Sequence, residues 1–294
     1  MTWILLKMAL ENLEHDKVEE ALLEAGATSV TLEDAANQPI YEPDPENPAL
    51  WADTRLTALF PPDADLDAVE AALLVSLGIA SLPAHEVETL EDRDWVREWL
   101  KDFKPMRFGE RLWICPTAYA PPDPKAVNLI LDPGLAFGTG THATTALCLE
   151  WLDSAELAGK DVLDYGCGSG ILAIAAARLG ARSVWAVDHD PQALTATRDN
   201  AARNGAAAKI RACPPAALPD IQVDVLLANI LARPLAELAP LFARRLKPGG
   251  TLVLSGILGE QEPELRRAYS PHFDLKPAVR REDWLRLEGV RRSD

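Results

Sequence analysis

Along the first ninety residues, apolar and polar positions alternate in four short runs and take a helical spacing in two others. Trp3–Leu10, Ser29–Leu32, Thr54–Phe60 and His85–Leu90 have the period of two that marks half-buried strands. Asp16–Ala25 places Val18, Ala21, Leu22 and Ala25 on one helical face and stops before Gly26, a residue suited to a helix C-terminus. Leu66–Leu77 is a second helix, with Asp63 and Asp65 as candidate caps. The Pro-rich segment Asn37–Asn47 is a loop. The order strand-helix-strand-strand-helix-strand predicts a small ferredoxin-like α+β domain over residues 1–91.

Residues 92–131 break that rhythm. Asp94–Phe103 carries Trp95, Trp99 and Phe103 at every fourth position, read as a linker helix packing its aromatic stripe against a neighbour. Arg111–Pro116 and Val127–Leu131 are two short strands bridging the domains. A helix follows from about His142 to Leu152, with Thr141 as its expected N-cap. His142 is read as a capping or structural residue ahead of a catalytic one.

From Lys160 onward strands and helices alternate, the pattern of a mostly parallel sheet covered on both faces. Seven strands are predicted: Val162–Tyr165, Ser183–Val187, Lys209–Ala212, Val223–Ala228, Thr251–Ser255, Phe273–Pro277 and Trp284–Gly289. The intervening helices are Gly170–Leu179, Pro191–Asn204, Pro234–Leu246 and Glu260–Tyr269, with Asp190 capping the second and Lys247–Gly250 as the stop and turn after the third. The fold class is therefore α/β: a Rossmann-like domain over 132–294 behind a ferredoxin-like domain.

Composition sharpens this outline. A chain of 294 residues is long enough for two cores. It contains no apolar run of membrane-spanning length and no signal-peptide pattern, and its four cysteines form no C-x-x-C pair. A cytoplasmic protein without a structural metal, away from membranes, is expected. The net charge of −16 is uneven, with 22 acidic and 5 basic residues in 1–100 against 23 and 24 in the remainder. Such a first domain repels phosphate backbones, which excludes direct DNA binding through it, and suits a basic partner.

The chemistry concentrates at strand ends. Asp164-Tyr165-Gly166-Cys167-Gly168-Ser169-Gly170 closes the first strand of the second domain with G-x-G-x-G. A dinucleotide fingerprint requires G-x-G-x-x-G, and Ile171 stands in place of its third glycine. Asp188 closes the next strand and is suited to accept hydrogen bonds from both ribose hydroxyls of an adenosine. Asn229 closes the fourth. Gly134–Thr145, rich in glycine and hydroxyls ahead of a helix N-terminus, suits a carboxylate, whereas the absence of G-K-[ST] argues against a phosphate loop. In an open sheet such ends converge on one crevice. The spacing is similar to that of S-adenosylmethionine (SAM)-dependent methyltransferases of the Rossmann-like class. Members acting on bases or planar amides carry Asn-Pro-Pro-aromatic, whereas this chain has Asn229-Ile230-Leu231-Ala232. With no stacking ring, an aliphatic amine is the better acceptor.

Five segments together, LDPGLAFGTGTHATT, VLDYGCGSGILAIAA, VDHDPQALTATRDNAARNG, LLANILARPLAELAP and LSGIL, resemble the PrmA family of bacterial ribosomal protein methyltransferases. The likeness is close from about residue 100 onward and rests on length and topology before that. It implies SAM-dependent N-methylation of lysine side chains and the N-terminal amine of the eleventh large-subunit ribosomal protein. It also implies an N-terminal substrate-recognition domain that can move on a flexible linker, and a monomer is expected. Carried over by motif, the cofactor contacts are Thr145, Gly166, Asp188 and Asn229. Asp164 and the amides around Gly168 are read as holding the amino-acid end of SAM, and Asn229 as the positioning group, with no catalytic base assigned. Two other readings remain open: a small-molecule amine methyltransferase and a non-catalytic adenosine-binding regulator.

Overall fold

The computed structural model describes residues 2–36, 50–91, 103–132 and 142–293. The chain divides into two compact units, Met1–Glu98 and Trp99–Asp294.

In the first unit, β1 (Thr2–Ala9), α1 (His15–Glu24), β2 (Ser29–Asp34), β3 (Thr54–Phe60), α2 (Leu66–Leu77) and β4 (His85–Glu91) form a sheet in the order β2-β3-β1-β4. All neighbouring strands are antiparallel, which is the ferredoxin-like arrangement. Alternation does the sorting: Leu6 and Met8 of β1 and Leu56, Ala58 and Phe60 of β3 point to one face. There they meet Val18 and Leu22 of α1 and Val69 and Leu73 of α2 in a closed core. Asp65, rather than Asp63, caps α2 by accepting from the amides of Asp67 and Ala68, and Gly78 ends it in the left-handed conformation.

The second unit begins with a three-stranded sheet, β5 (Met106–Phe108), β6 (Leu112–Cys115) and β7 (Val127–Ile130). The sequence foresees only the last two, because three residues are too few to show a period. These strands are built into the second unit. Phe103, Phe108, Leu112, Ile114, Leu129 and Leu131 share one core with the helices and strands that follow. Two buried polar side chains fasten them. Asp153 accepts from the amides of Glu110 and Arg111 at 2.7 and 3.0 Å. Asn204 accepts from the Ile130 amide at 2.6 Å and donates to the Ile130 carbonyl at 2.8 Å. Of the expected linker helix only Phe103 falls within the described residues; Trp95 and Trp99 lie outside them, as does the loop Asn37–Asn47.

The remaining elements are α3 (Ala143–Ser154), β8 (Asp161–Tyr165), α4 (Ile171–Arg178), β9 (Ser183–Val187), α5 (Pro191–Arg203), β10 (Ile210–Cys213), β11 (Val223–Asn229), α6 (Ala232–Arg245), β12 (Leu246–Leu258), α7 (Glu262–Tyr269), β13 (Phe273–Leu275), β14 (Val279–Arg281) and β15 (Trp284–Arg291). The main sheet runs β10-β9-β8-β11-β12-β15-β13, with β14 added against β15. It thus has eight strands rather than the seven expected, β14 being another three-residue strand. Strands β10 through β12 are parallel, and β15 returns antiparallel to β12. Chain order runs outward from β8 toward β10 on one side and from β11 toward β12 on the other. The switch in strand order, where a ligand crevice opens in such sheets, therefore lies between β8 and β11.

Two local expectations are corrected. Lys247–Gly250 is not a turn outside the sheet but the first part of β12, accommodated by a register shift against β11 and by Gly249 at φ +76°. The N-cap of α3 is His142, not Thr141: its ring Nδ1 accepts from the Thr144 amide at 3.3 Å.

Candidate active site

The glycine loop follows β8 at the switch point. Gly166, Gly168 and Gly170 all have positive φ (+81°, +53° and +80°), a region that side chains with Cβ rarely enter. The loop is fastened on both flanks. The amides of Gly166 and Cys167 donate to the Val187 carbonyl at 2.7 and 3.0 Å, tying it to the end of β9. From α5, the Thr197 hydroxyl donates to the Gly168 carbonyl at 3.0 Å and the Asn200 amide to the Ser169 carbonyl at 2.9 Å. A Cβ on Gly170 would fall 2.9 Å from the Thr197 side chain, so loop and helix fit only because that position is bare.

Two carboxylates lie beneath and beside the loop. Asp188, directly after β9, accepts from the Gly168 amide at 2.9 Å through Oδ2 and from the Asp190 amide at 3.0 Å through Oδ1. A carboxylate has about four acceptor positions, so each oxygen keeps capacity for one more donor. Asp164 is fully buried in β8 and accepts from the Ala173 amide at 3.0 Å, while its second oxygen has no hydrogen-bond partner among the described residues. Burial above all, with the nearby Asp188 charge adding to it against the opposing Ala173 bond, pushes the Asp164 carboxyl up to about 7. A buried, half-satisfied acid of this kind is costly for the fold alone and is a candidate functional group.

Asn229 ends β11, paired with Ser255 of β12. Its amide donates to the Thr145 hydroxyl at 3.3 Å, and Thr145 is fully buried in the first turn of α3. The residue after Asn229, Ile230, reaches back to Gly166: a Cβ there would sit 2.2 Å from Ile230 Cγ2. Thr145, Asn229, Gly166, Gly168, Asp188 and Asp164 thus form one connected cluster at the ends of β8, β9 and β11. Within the segment read as a carboxylate-binding entry, residues 134–141 lie outside the described residues. His142 stands at the edge of the cluster as a cap, its ring edge-on to Trp284 at 4.8 Å, and burial pulls its pKa below the usual value. The Cys167 thiol is pushed up by burial and by the two neighbouring carboxylates, which makes it a packing residue rather than a nucleophile.

Sequence reasoning missed the residues that hold this loop in place. Thr197 and Asn200 are polar at i and i+3 of α5, on the side turned to the loop. That spacing was legible, but only the fold supplies its partners. Gly256 was missed as well, although a Cβ there would fall 2.2 Å from the Ile230 carbonyl oxygen. Among the described residues no group of three His, Cys, Asp or Glu side chains is placed to hold a metal ion.

The donor set fits a ligand with an adenosine at one end and a cationic amino acid at the other. Asp188 keeps acceptor capacity that vicinal hydroxyls could take, Asp164 has a buried oxygen without a hydrogen-bond partner among the described residues, and the bare glycines leave room for close backbone approach. Comparison with known proteins shows the family. The family model described as "Ribosomal protein L11 methyltransferase (PrmA)" matches residues 2–292. Proteins named ribosomal protein L11 methyltransferase are 57% identical over the whole of both chains in Pseudomonas paraeruginosa. In Azotobacter vinelandii the identity is 54% over 99% of this chain and all of the relative. The crystal structure of a ribosomal protein L11 methylase from Lactobacillus delbrueckii subsp. bulgaricus, 35% identical, covers 65% of this chain and all of its own with a TM-score of 0.60. With the switch-point site and a family match from end to end, the chain belongs to the ribosomal protein L11 methyltransferase (PrmA) family of SAM-dependent methyltransferases.

Proposed function

We propose that the protein transfers methyl groups to amines of ribosomal protein L11, at lysine side chains and at the N-terminus, acting as a monomer in the cytoplasm. The observation that carries the choice of an aliphatic amine is the acceptor side of the site: Asn229 is followed by Ile230, Leu231 and Ala232, and Ala232 is buried in the first turn of α6. An aromatic platform for a base or planar amide has no residue to supply it there.

When bound, SAM supplies an electrophilic methyl carbon on a sulfonium. The chain's own residues bind, orient and desolvate. Asp188 would hold the ribose hydroxyls and Asp164 the amino group, while the bare glycines of the loop, their Gly166 and Gly168 N–H groups already given to Val187 and Asp188, let the cofactor approach the backbone closely. Asn229, which gives one NH2 hydrogen to Thr145, would offer its carbonyl oxygen as an acceptor to an incoming amine N–H. A lysine amine near 10.4 must lose its proton before it attacks, and exclusion of water beside a cationic centre lowers that pKa. Positioning two reactants in line is worth several kcal/mol without any group acting as a base.

The first unit is the proposed recognition module, its folded part spanning residues 1–91, whereas β5–β7 of the expected linker 92–131 belong to the second unit. Glu11, Glu14, Glu20 and Glu24 are exposed at and around α1, Glu19 is half-buried there, and Glu86 and Glu88 are exposed on β4. A basic ribosomal protein would be steered toward such a surface. Changing Glu11, Glu14, Glu19, Glu20 and Glu24 together to Gln should lower kcat/KM for the protein acceptor several-fold at low salt and leave SAM affinity unchanged. Equal rates for the variant and the parent at low salt would remove the charge argument.

A further inference from the structure

Asn229 is set by its strand, but the residue after it is held from both sides. Ile230 is half-buried at the margin of the core formed by β11, β12, α6 and α7. A Cβ placed on Gly166 would fall 2.2 Å from Ile230 Cγ2, so that methyl lies over the bare Cα of the glycine opening the cofactor loop. On its other side, a Cβ on Gly256 would fall 2.2 Å from the Ile230 carbonyl oxygen and 2.8 Å from its carbonyl carbon. Both glycines are left-handed, at φ +81° and +85°. Gly256 lies where β12 loses register with β15, between Leu254 and Ile257, one residue after the Ser255 that pairs with Asn229. The irregularity in β12 and the missing Cβ together make room for the carbonyl of residue 230.

Ile230 is therefore a wedge whose side chain sets one gap and whose backbone sets another. The first is the spacing between the cofactor loop and the Asn229 segment. The second is the spacing between that segment and β12. We propose that Ile230 is a positioning residue for methyl transfer, fixing the distance between the Gly166 loop and the acceptor-side segment Asn229–Leu231 through its Cγ2 methyl. The inference rests on the reading of this cluster as a methyl-transfer site. In-line displacement is sensitive to such spacing, a misplacement of about 1 Å costing on the order of a hundredfold. The carboxylates that would bind the cofactor are held by the amides of Ala173, Gly168 and Asp190 and not by Ile230 itself. Loosening the wedge should accordingly slow transfer more than it weakens binding.

Three substitutions in the full-length protein separate this role from simple packing. Ile230→Ala removes Cγ2, and Ile230→Leu keeps the side-chain volume but has no branch at Cβ. Ile230→Val keeps both γ-carbons. The measurements are kcat with the acceptor protein, the SAM dissociation constant by calorimetry, and the melting temperature. The Ala and Leu variants should lose at least tenfold in kcat with SAM affinity within threefold of the parent, and Val should restore kcat to within threefold. The proposal is overturned if Leu keeps full kcat, if Val loses as much as Leu, or if kcat and SAM affinity fall in parallel with the melting temperature. Should Ala fail to fold, the contrast between Leu and Val decides. A parent protein that binds no SAM or transfers no methyl would instead defeat the functional reading itself, an outcome read before any variant is made.

Discussion

Asp188→Ala should raise the dissociation constant for SAM at least tenfold, and by about a hundredfold or more if two ribose bonds are lost. The estimate follows from hydrogen bonds to charged groups, which contribute roughly 1.5–3 kcal/mol each, against about 1.4 kcal/mol per factor of ten. Part of the loss is indirect. Asp188 also accepts from the amides of Gly168 and Asp190, so removing it frees the centre of the glycine loop. Asp188→Asn keeps the shape and one acceptor oxygen and should fall between the two. Calorimetric titration of the two variants measures this, and an Asp188→Ala protein that binds as tightly as the parent would refute the site assignment.

Asp164→Asn has an effect of opposite sign on stability and on binding. The folded carboxyl titrates at about 7, whereas an unfolded aspartate titrates near 3.9. Between about pH 4 and pH 7 the folded chain keeps a proton that the unfolded chain has released. Through this group, the ligand-free protein therefore loses stability as pH rises across that window and levels off above it. Asn cannot ionise, so the variant should not show that decline and should melt at or above the parent temperature at about pH 8. It also loses the buried charge proposed for the SAM amino group. Its affinity should drop about tenfold or more, the value of one charge-assisted bond. Melting curves with and without SAM at about pH 5 and pH 8 test both halves. A variant that melts below the parent at the higher pH and binds SAM normally would contradict them.

The sequence carried the fold wherever a physical signal is local. Alternation placed β1 and β3 and the inward set Leu6, Met8, Leu56, Ala58 and Phe60. Asp190 before Pro191 marked the start of α5, and its carboxylate does accept from the Gln192 amide. Gly166, Gly168 and Gly170 announced themselves because only glycine tolerates three left-handed positions in five residues. The failures are equally physical. β5 and β14 are three residues long, and their existence depends on a neighbouring strand rather than on any pattern of their own. Thr141 obeys the usual cap preference, yet the imidazole of His142 takes the position.

In the candidate site, strand-end residues could be named from spacing, but what orients them could not. The Thr145–Asn229 bond joins residues 84 apart and the Thr197–Gly168 bond residues 29 apart. Ile230 reads as an ordinary aliphatic residue until the two glycines facing it, Gly166 and Gly256, are seen in space. Long-range contacts of this kind leave no trace in local periodicity.

The central claim is that this site methylates amines of a ribosomal protein. It is tested most directly by incubating the purified protein with methyl-labelled SAM and an extract of cells lacking the activity. Label is expected in one small basic ribosomal protein, recovered on lysine side chains and the N-terminal amine. Label appearing only in soluble small molecules, or no transfer at all, would contradict it.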